Sequence, residues 1–97
     1  MATFITLGNF TEQGIRDVKQ STQRAKAFQE MAEKAGVTVK AIYWTVGAYD
    51  LVVIIDAPDG ETATAQLLSV GAMGNVRTQT LRGFSAEEMD GILANMA

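Results

Sequence analysis

Hydrophobic and polar residues follow two different periods along this chain, and these periods predict strands and helices in turn. Four segments are rich in β-branched and aromatic residues and are bounded by turn-forming residues, which is typical of strands; they are residues 4–7, 37–46, 49–57 and 75–82. Between them, apolar residues recur every three or four positions, as on one face of a helix. The predicted order is strand, helix, strand, strand, helix, strand and a tail helix.

Cap residues mark where the predicted helices begin and end. Residues 11–36 are predicted to be helical in two pieces that join near Ser21, because a serine can cap a new helix start. Gly36 stands where a left-handed glycine commonly ends a helix. Asp59 is the predicted cap of the next main helix, and Ser85 begins a capping-box pattern ahead of the tail helix.

The element order is the split βαβ, or ferredoxin-like, pattern of the α+β class. Gly47-Ala48 separates the second and third predicted strands, and a pair of residues led by glycine predicts a tight hairpin turn. No linker interrupts the pattern, so we predict a single domain over residues 1–97.

The third predicted strand is apolar on both sides. Leu51, Val53 and Ile55 point to one face of the sheet, whereas Val52 and Ile54 point to the other. Two helices can cover only one face, so the second face needs another cover. A second copy of the sheet would supply it and would form a dimeric α+β barrel. The alternative is that the tail helix folds over this face within the same chain.

The composition removes several classes of function. The chain has no Cys and no His, which excludes disulfides, thiol nucleophiles and the commonest metal ligand, and we predict no metal and no cofactor. A net charge of -3 without a basic cluster argues against a nucleic-acid partner. The sequence has neither a long apolar run nor a basic segment ahead of an apolar one, so we expect a cytoplasmic protein with no membrane partner.

Three segments resemble the GYD domain family. Residues 47–50 (GAYD), after residues 43–45 (YWT), resemble the glycine-tyrosine-aspartate element for which the family is named. Residues 10–15 and 74–82 support the resemblance, which extends to about Glu88. The resemblance implies a dimeric α+β barrel-like fold, and hence a homodimer or a higher homo-oligomer. It implies no established activity and carries over no catalytic residue.

The candidate ligand-binding residues combine aromatic and ionisable side chains; they are Tyr43, Trp44, Tyr49, Asp50 and Arg77. Tyr43 and Trp44 are adjacent on a strand, so their rings face opposite sides of the sheet, and core packing is an alternative role for both. The simpler interpretation of residues 47–50 is a turn. In that case Gly47 supplies a positive φ and Asp50 accepts hydrogen bonds from nearby backbone amides.

Arg77 is an unusual residue for a strand whose sheet is covered on both faces. Such an arginine needs an anionic partner, and an internal ion pair with Asp50 or Asp56 is favoured over a bound anion. Asn75 and Gln79 have the same strand parity as Arg77 and are predicted to share its face.

Three functions remain open at this point. The preferred one is a homo-oligomeric module that binds or senses a small organic molecule, with a pocket between sheet and helices or at the subunit seam. A cofactor-free enzyme of the dimeric α+β barrel type would use Asp50, Tyr49 or Tyr43 for proton transfer and Arg77 to hold an anion. A purely structural self-assembling protein would instead have a sealed, fully packed space between sheet and helices.

Overall fold

Four strands and four α-helices make up most of the chain. The computed structural model describes all residues, 1–97. The elements are β1 (Ala2–Phe10), α1 (Glu12–Arg16), α2 (Ser21–Lys34), β2 (Thr38–Trp44), β3 (Leu51–Ala57), α3 (Gly60–Ala72), β4 (Val76–Gly83) and α4 (Ala86–Ala94). A short 3-10 turn, Val18–Gln20, joins α1 to α2. This order agrees with the predicted alternation of strands and helices.

The strands form one antiparallel sheet in the order β2-β3-β1-β4. β1 and β4 pair without interruption, whereas β2 shifts register against β3 between Val39 and Ala41. α2 packs on β2, and α3 packs on β3 and β4, so both long helices lie on the same face of the sheet. The protein is therefore an α+β fold built on a four-stranded antiparallel sheet.

The tightest packing lies at one end of the helix-covered face. The residues that form it are at most 2% exposed. They are Ala32 of α2, Val37 just before β2, Ile55 and Ala57 of β3, and Ala63 of α3. Alanines on both helices and on the sheet let the backbones approach closely, so little free space remains here. Burial of Ile55 alone contributes roughly 2 kcal/mol to folding. We call this region the packed end.

The opposite face of the sheet, which we call the open face, has no helix over it. Two neighbouring rows of side chains cross it; they are Ala41, Ile54, Ile5 and Leu81 in one row and Tyr43, Val52, Leu7 and Gln79 in the other. Polar residues lie toward the strand ends, with Asp56 at one end and Arg77 at the other. Leu81 is 46% exposed and Tyr43 is 61% exposed. An apolar centre with a polar rim is the usual anatomy of a protein interface.

The tail helix α4 does not cover the open face. All its residues are exposed, and it makes no extensive contact with another element. An ion pair of 3.5 Å between Arg82 and Glu88 ties its first turn to β4. With α4 projecting, the molecule measures 50 × 31 × 18 Å. The alternative in which the tail helix covers this face within one chain is therefore wrong.

The connection between β2 and β3 differs from the predicted two-residue turn. It is a loop over residues 45–50, in which the backbone N–H of Thr45 donates to the carbonyl of Asp50 at 2.8 Å. The Thr45 hydroxyl donates to the carbonyl of Tyr49 at 2.5 Å. Gly47 has a φ of +125°, so the predicted need for glycine is confirmed. The loop is longer because the side chains of Tyr49 and Asp50 bind other strands, while their carbonyls still accept hydrogen bonds from Thr45.

Two further local predictions are corrected by the structure. β1 continues through Gly8 because this glycine makes room for Leu51, and a Cβ at Gly8 would lie 3.0 Å from Leu51 Cγ. Ser21 is not a helix cap; it is the first residue of α2, and its hydroxyl accepts a hydrogen bond from Arg24 at 3.3 Å. Gly8 therefore makes room for the packing of Leu51, and Ser21 binds the side chain of Arg24.

The predicted caps of α3 and α4 are confirmed. Asp59 accepts a hydrogen bond from the Thr62 backbone N–H at 2.7 Å, and this bond lowers the pKa of Asp59 below its usual value. Ser85 and Glu88 form a reciprocal capping box, and the Ser85 backbone N–H lowers the pKa of Glu88. Gly36 has a φ of +78°, as expected for a glycine after a helix.

Candidate functional site

A cleft lies between α2, α3 and the sheet, at the end of the helix-covered face opposite the packed end. Its volume is about 180 Å³, and 13 of its 18 lining residues are hydrophobic. The walls include Ala25, Phe28 and Met31 of α2, Leu67 and Val70 of α3, and Ile42, Trp44, Leu51 and Val53 of the sheet. An apolar cavity of about 150 Å³ can hold benzene, so this cleft has room for a small organic molecule.

One charged side chain, that of Arg24 on α2, contributes to the lining of the cleft. Its guanidinium donates to the carbonyl of Asp17 at 2.9 Å, to the carbonyl of Gly14 at 3.5 Å and to the Ser21 hydroxyl at 3.3 Å. No carboxylate forms an ion pair with it. Because arginine stays charged in proteins, Arg24 brings an unneutralised positive charge to the side of an apolar cleft.

Two segments that are far apart in the sequence bind each other next to the cleft. The Thr11 backbone N–H donates to the carbonyl of Asn75 at 3.1 Å, and the Thr11 hydroxyl donates to the carbonyl of Gly74 at 2.5 Å. Gln13 Nε2 donates to Asn75 Oδ1 at 2.9 Å. Gly14 approaches so closely that a Cβ on it would lie 1.9 Å from the carbonyl oxygen of Asn75. These contacts fix α1 against the start of β4.

Asp50 and Tyr49 tie the β2–β3 loop to the other strands. Asp50 Oδ2 accepts a hydrogen bond from the Phe10 backbone N–H at 2.8 Å, while the Asp50 N–H donates to the carbonyl of Gly8 at 2.9 Å. The carboxylate thus takes the place of a backbone carbonyl at the end of the β1–β3 ladder. The Tyr49 hydroxyl donates to Gln79 Oε1 at 3.3 Å, so this side chain crosses β1 to reach β4.

The three segments on which the family resemblance rested therefore meet at one end of the sheet. The GYD domain family model matches residues 4–93. This chain belongs to the GYD domain family. A similar curated protein is the glutamine synthetase and cystathionine beta-lyase binding protein of Thermus thermophilus, which is 32% identical over 90 residues. The match covers 92% of this chain and 95% of that relative.

Solved structures agree with the α+β fold of this GYD domain. The crystal structure of FFRP-DM1 has a TM-score of 0.58 at 22% identity and covers 87% of this chain and all of the other. The crystal structure of TTHA0845 from Thermus thermophilus has a TM-score of 0.57 at 25% identity and covers 89% of this chain and 96% of that one. Both likenesses support a small α+β protein with a single antiparallel sheet.

The GYD domain distributes the five candidate residues over separate environments instead of one pocket. Trp44 lines the cleft on the helix-covered face. Tyr43 pairs with Val52 and lies on the open face. Arg77 pairs with Asn9 on the same open face, while the two loop residues described above hold the end of the sheet together. The opposite orientations of Tyr43 and Trp44 agree with the strand alternation.

Arg77 has no carboxylate partner within the single chain, so the predicted internal ion pair is wrong. Asp50 is engaged by a backbone amide, as described above. Asp56 accepts a hydrogen bond from the Thr3 hydroxyl at 2.7 Å and lies 3.6 Å from the ammonium of Lys40. Arg77 is therefore available to an anion outside its own chain.

The expected polar neighbours of Arg77 are only partly in place. Gln79 shares the open face with it, as the strand register requires. Asn75 lies instead on the cleft side, because β4 begins at Val76 and the preceding residue need not follow the strand alternation. Arg82 lies on the helix side of β4, with its guanidinium carbon 4.4 Å from the centre of the Phe84 ring.

Sequence reasoning missed Arg24, the one charged residue of the cleft. It precedes Phe28 by four residues and Met31 by seven, so the three side chains share one face of α2. The charge on an otherwise apolar helix stripe is the sequence signal that could have identified it.

Three further observations concern the metal-binding groups, the helices and the space between sheet and helices. No group of three or more carboxylate side chains is placed to hold a metal ion. None of the helices has the length and apolarity needed to cross a membrane. The space between sheet and helices is not sealed, which counts against a protein that serves only to assemble.

Proposed function

We propose that this GYD domain is a homodimeric binding module whose two copies pair through their open faces. The uncovered apolar rows of the open face carry the proposal, because exposed Leu81 and Tyr43 continue the half-buried residues of β1 and β3. The strand order β2-β3-β1-β4 supports a ferredoxin-like fold, and two such sheets packed face to face would give a dimeric α+β barrel.

The accessible surface of the single chain supports pairing. It amounts to 6396 Å² for a mass of 10.4 kDa. A compact monomer of that mass exposes roughly 5,400 Å² by the usual scaling. The excess of about 1,000 Å² includes the projecting α4 and is comparable with the roughly 800 Å² that each partner contributes to a standard interface.

Three of the candidate residues would lie at the seam of this dimer. Tyr43, Tyr49 and Arg77 reach toward the open face or its rim. Arg77 would then gain an anionic partner, either from the second copy or from a small ligand held between the sheets.

Pairing through the open face can be tested by measuring the mass of the protein in solution. We expect native mass spectrometry and light scattering to show twice the chain mass of 10.4 kDa. Leu81→Glu should raise the dimer dissociation constant at least about hundredfold, because each interface would bury unpaired carboxylates. Leu68→Glu is the matched control, since Leu68 is 69% exposed on α3 and away from the open face. A monomeric parent protein, or equal behaviour of the two variants, would refute the pairing.

The relative described above suggests the class of protein partner. Its name states that it binds glutamine synthetase and cystathionine beta-lyase. We propose that this domain likewise binds an enzyme of amino-acid metabolism in the cytoplasm. The tail supports such a role because its apolar residues project from the body and are 39–70% exposed; they are Met89, Ile92 and Leu93 of α4 and Met96 just after it.

Partner binding can be measured directly by surface plasmon resonance with purified glutamine synthetase and cystathionine beta-lyase from the same organism as this domain. We expect at least one enzyme to bind, and Ile92→Glu to weaken binding about tenfold or more by placing a charge in the apolar stripe. Ala94→Glu adds the same charge to the other side of α4 and should leave binding unchanged. If neither enzyme binds, the partner class does not transfer from the relative.

Small-molecule binding is a second candidate function, and the cleft is the observation that favours it. The enzyme alternative has weaker support. Asp50, its proposed base, is held by the Phe10 amide and does not line the cleft.

A further inference from the structure

We propose that the cleft between α2, α3 and the sheet binds a small carboxylic acid with a compact apolar body, either one ring or a branched aliphatic chain. The proposal rests on the second candidate function above and specifies its ligand class. It does not depend on pairing through the open face, because the cleft lies on the other side of the sheet.

The size and walls of the cleft select the body of the ligand. Phe28, Trp44 and Leu51 present ring and branched aliphatic surfaces from two sides, and the other walls are mostly apolar. The volume of about 180 Å³ lies close to that of a cavity known to hold benzene and below the roughly 300–1,000 Å³ of pockets for larger ligands. One ring or one branched chain therefore fills the enclosed part of the cleft, whereas a fused-ring or nucleotide ligand would extend out of it into solvent.

Arg24 selects the polar end of the ligand. Its three hydrogen bonds all go to neutral oxygens, so its positive charge is not balanced within the chain. A guanidinium has five N–H donors, and the Nε–H and one Nη1–H of Arg24 make no hydrogen bond within the chain. Arg24 is also only partly buried, so a carboxylate bound to it would lie where the cleft meets solvent. An apolar body with a carboxylate at its outer end satisfies both the walls and the charge.

The position of Trp44 makes binding directly measurable. It is the only tryptophan in the chain and it lines the cleft, so its fluorescence reports on the site. The probes are benzoate, 3-methylbutanoate and benzamide, the last being a neutral molecule of nearly the same shape as benzoate. We expect a saturable change of emission with both carboxylates and at least about tenfold weaker binding of benzamide.

Two pairs of variants locate the site and assign the charge. Ala25→Leu should fill the cleft and abolish the binding of benzoate, whereas Ala35→Leu at the exposed end of α2 should not. Arg24→Gln should remove the preference for benzoate over benzamide, and Arg16→Gln should keep it, since Arg16 is exposed and pairs with Glu12. Arg24→Lys retains the positive charge and should retain part of the preference for benzoate. Comparing it with Arg24→Gln separates the effect of losing the charge from the effect of losing the hydrogen bond that anchors α1.

Each outcome bears on a different claim. Absence of saturable binding of both carboxylates by the parent protein would overturn the site. Equal affinity for benzoate and benzamide would overturn the carboxylate class while leaving an apolar site. Equal effects of Ala25→Leu and Ala35→Leu would place the binding elsewhere. Leu81→Glu should bind benzoate like the parent protein, so a failure of the dimer is distinguishable from a failure of the cleft.

Discussion

The two ends of the helix-covered face are made by the same sheet and the same two helices, yet one is closed and the other is open. At the packed end, Ala32 and Ala63 let α2 and α3 approach the sheet closely. At the cleft end, Phe28, Leu67 and Trp44 are larger and not fully buried, so that space remains between them. The comparison teaches that this thin core closes where alanines of the two helices pack around Ile55 and Val37. We expect stability to concentrate at the packed end and ligand binding at the cleft end.

The largest expected effect comes from truncating one β3 residue at each end. Ile55→Ala should cost about 3–4 kcal/mol of unfolding free energy, because Ile55 is fully buried and its removal leaves a cavity. Leu51→Ala should cost only about 1–2 kcal/mol, since Leu51 already borders open space. Urea denaturation of both variants measures the difference. Equal losses would show that the cleft end is packed as tightly in solution as the other.

A smaller effect is expected from backbone contact near the cleft. Gly14→Ala should cost about 2–3 kcal/mol, because the new Cβ would lie 1.9 Å from the carbonyl oxygen of Asn75 and α1 would have to move. Gly71→Ala is the control, since α3 leaves open space around Gly71 and alanine should add about 0.5–1 kcal/mol. Thermal unfolding of the two variants measures whether Gly14→Ala lowers the stability and whether Gly71→Ala raises it. A neutral Gly14→Ala would mean that α1 does not depend on its contact with β4.

The smallest expected effect is a pH dependence at the packed end, where Asp59 caps α3. The bond from the Thr62 N–H lowers the folded-state pKa of Asp59 below its ordinary value of 3.8. Its stabilisation is therefore fully present above that value and is lost as the pH falls through the lower folded-state pKa. Asp59→Asn keeps a cap without the titration, so its stability should fall less on acidification than that of the parent protein.

Unfolding curves recorded at several acidic pH values test this expectation. Glu33→Gln serves as a control for the loss of one negative charge, because Glu33 is exposed on α2 and caps no helix. Identical acid sensitivity of Asp59→Asn and the parent protein would contradict the role of this cap.

Local features were predictable from the sequence because short-range physics decides them. The caps at Asp59 and Ser85 depend on a side chain and an amide three residues away, and both were predicted. The two-sided character of β3 follows from alternation along a strand, and it predicts an open face that needs a cover. Gly47 was assigned a positive φ for the same local reason. Its loop was predicted too short because the partners of Tyr49 and Asp50 lie on distant strands.

The sequence by itself determined the order of the elements, the α+β class, the resemblance to the family and the apolar character of both sides of β3. Only the tertiary structure decided that α4 projects, that Arg77 lacks an internal partner, and that α2 and α3 leave a cleft beside Arg24. The Asp50–Phe10 and Thr11–Gly74 hydrogen bonds join residues 40 and 63 positions apart. Such contacts depend on how whole elements pack in space. A local pattern of polar and apolar residues does not predict that packing, because it reflects only neighbours along the chain.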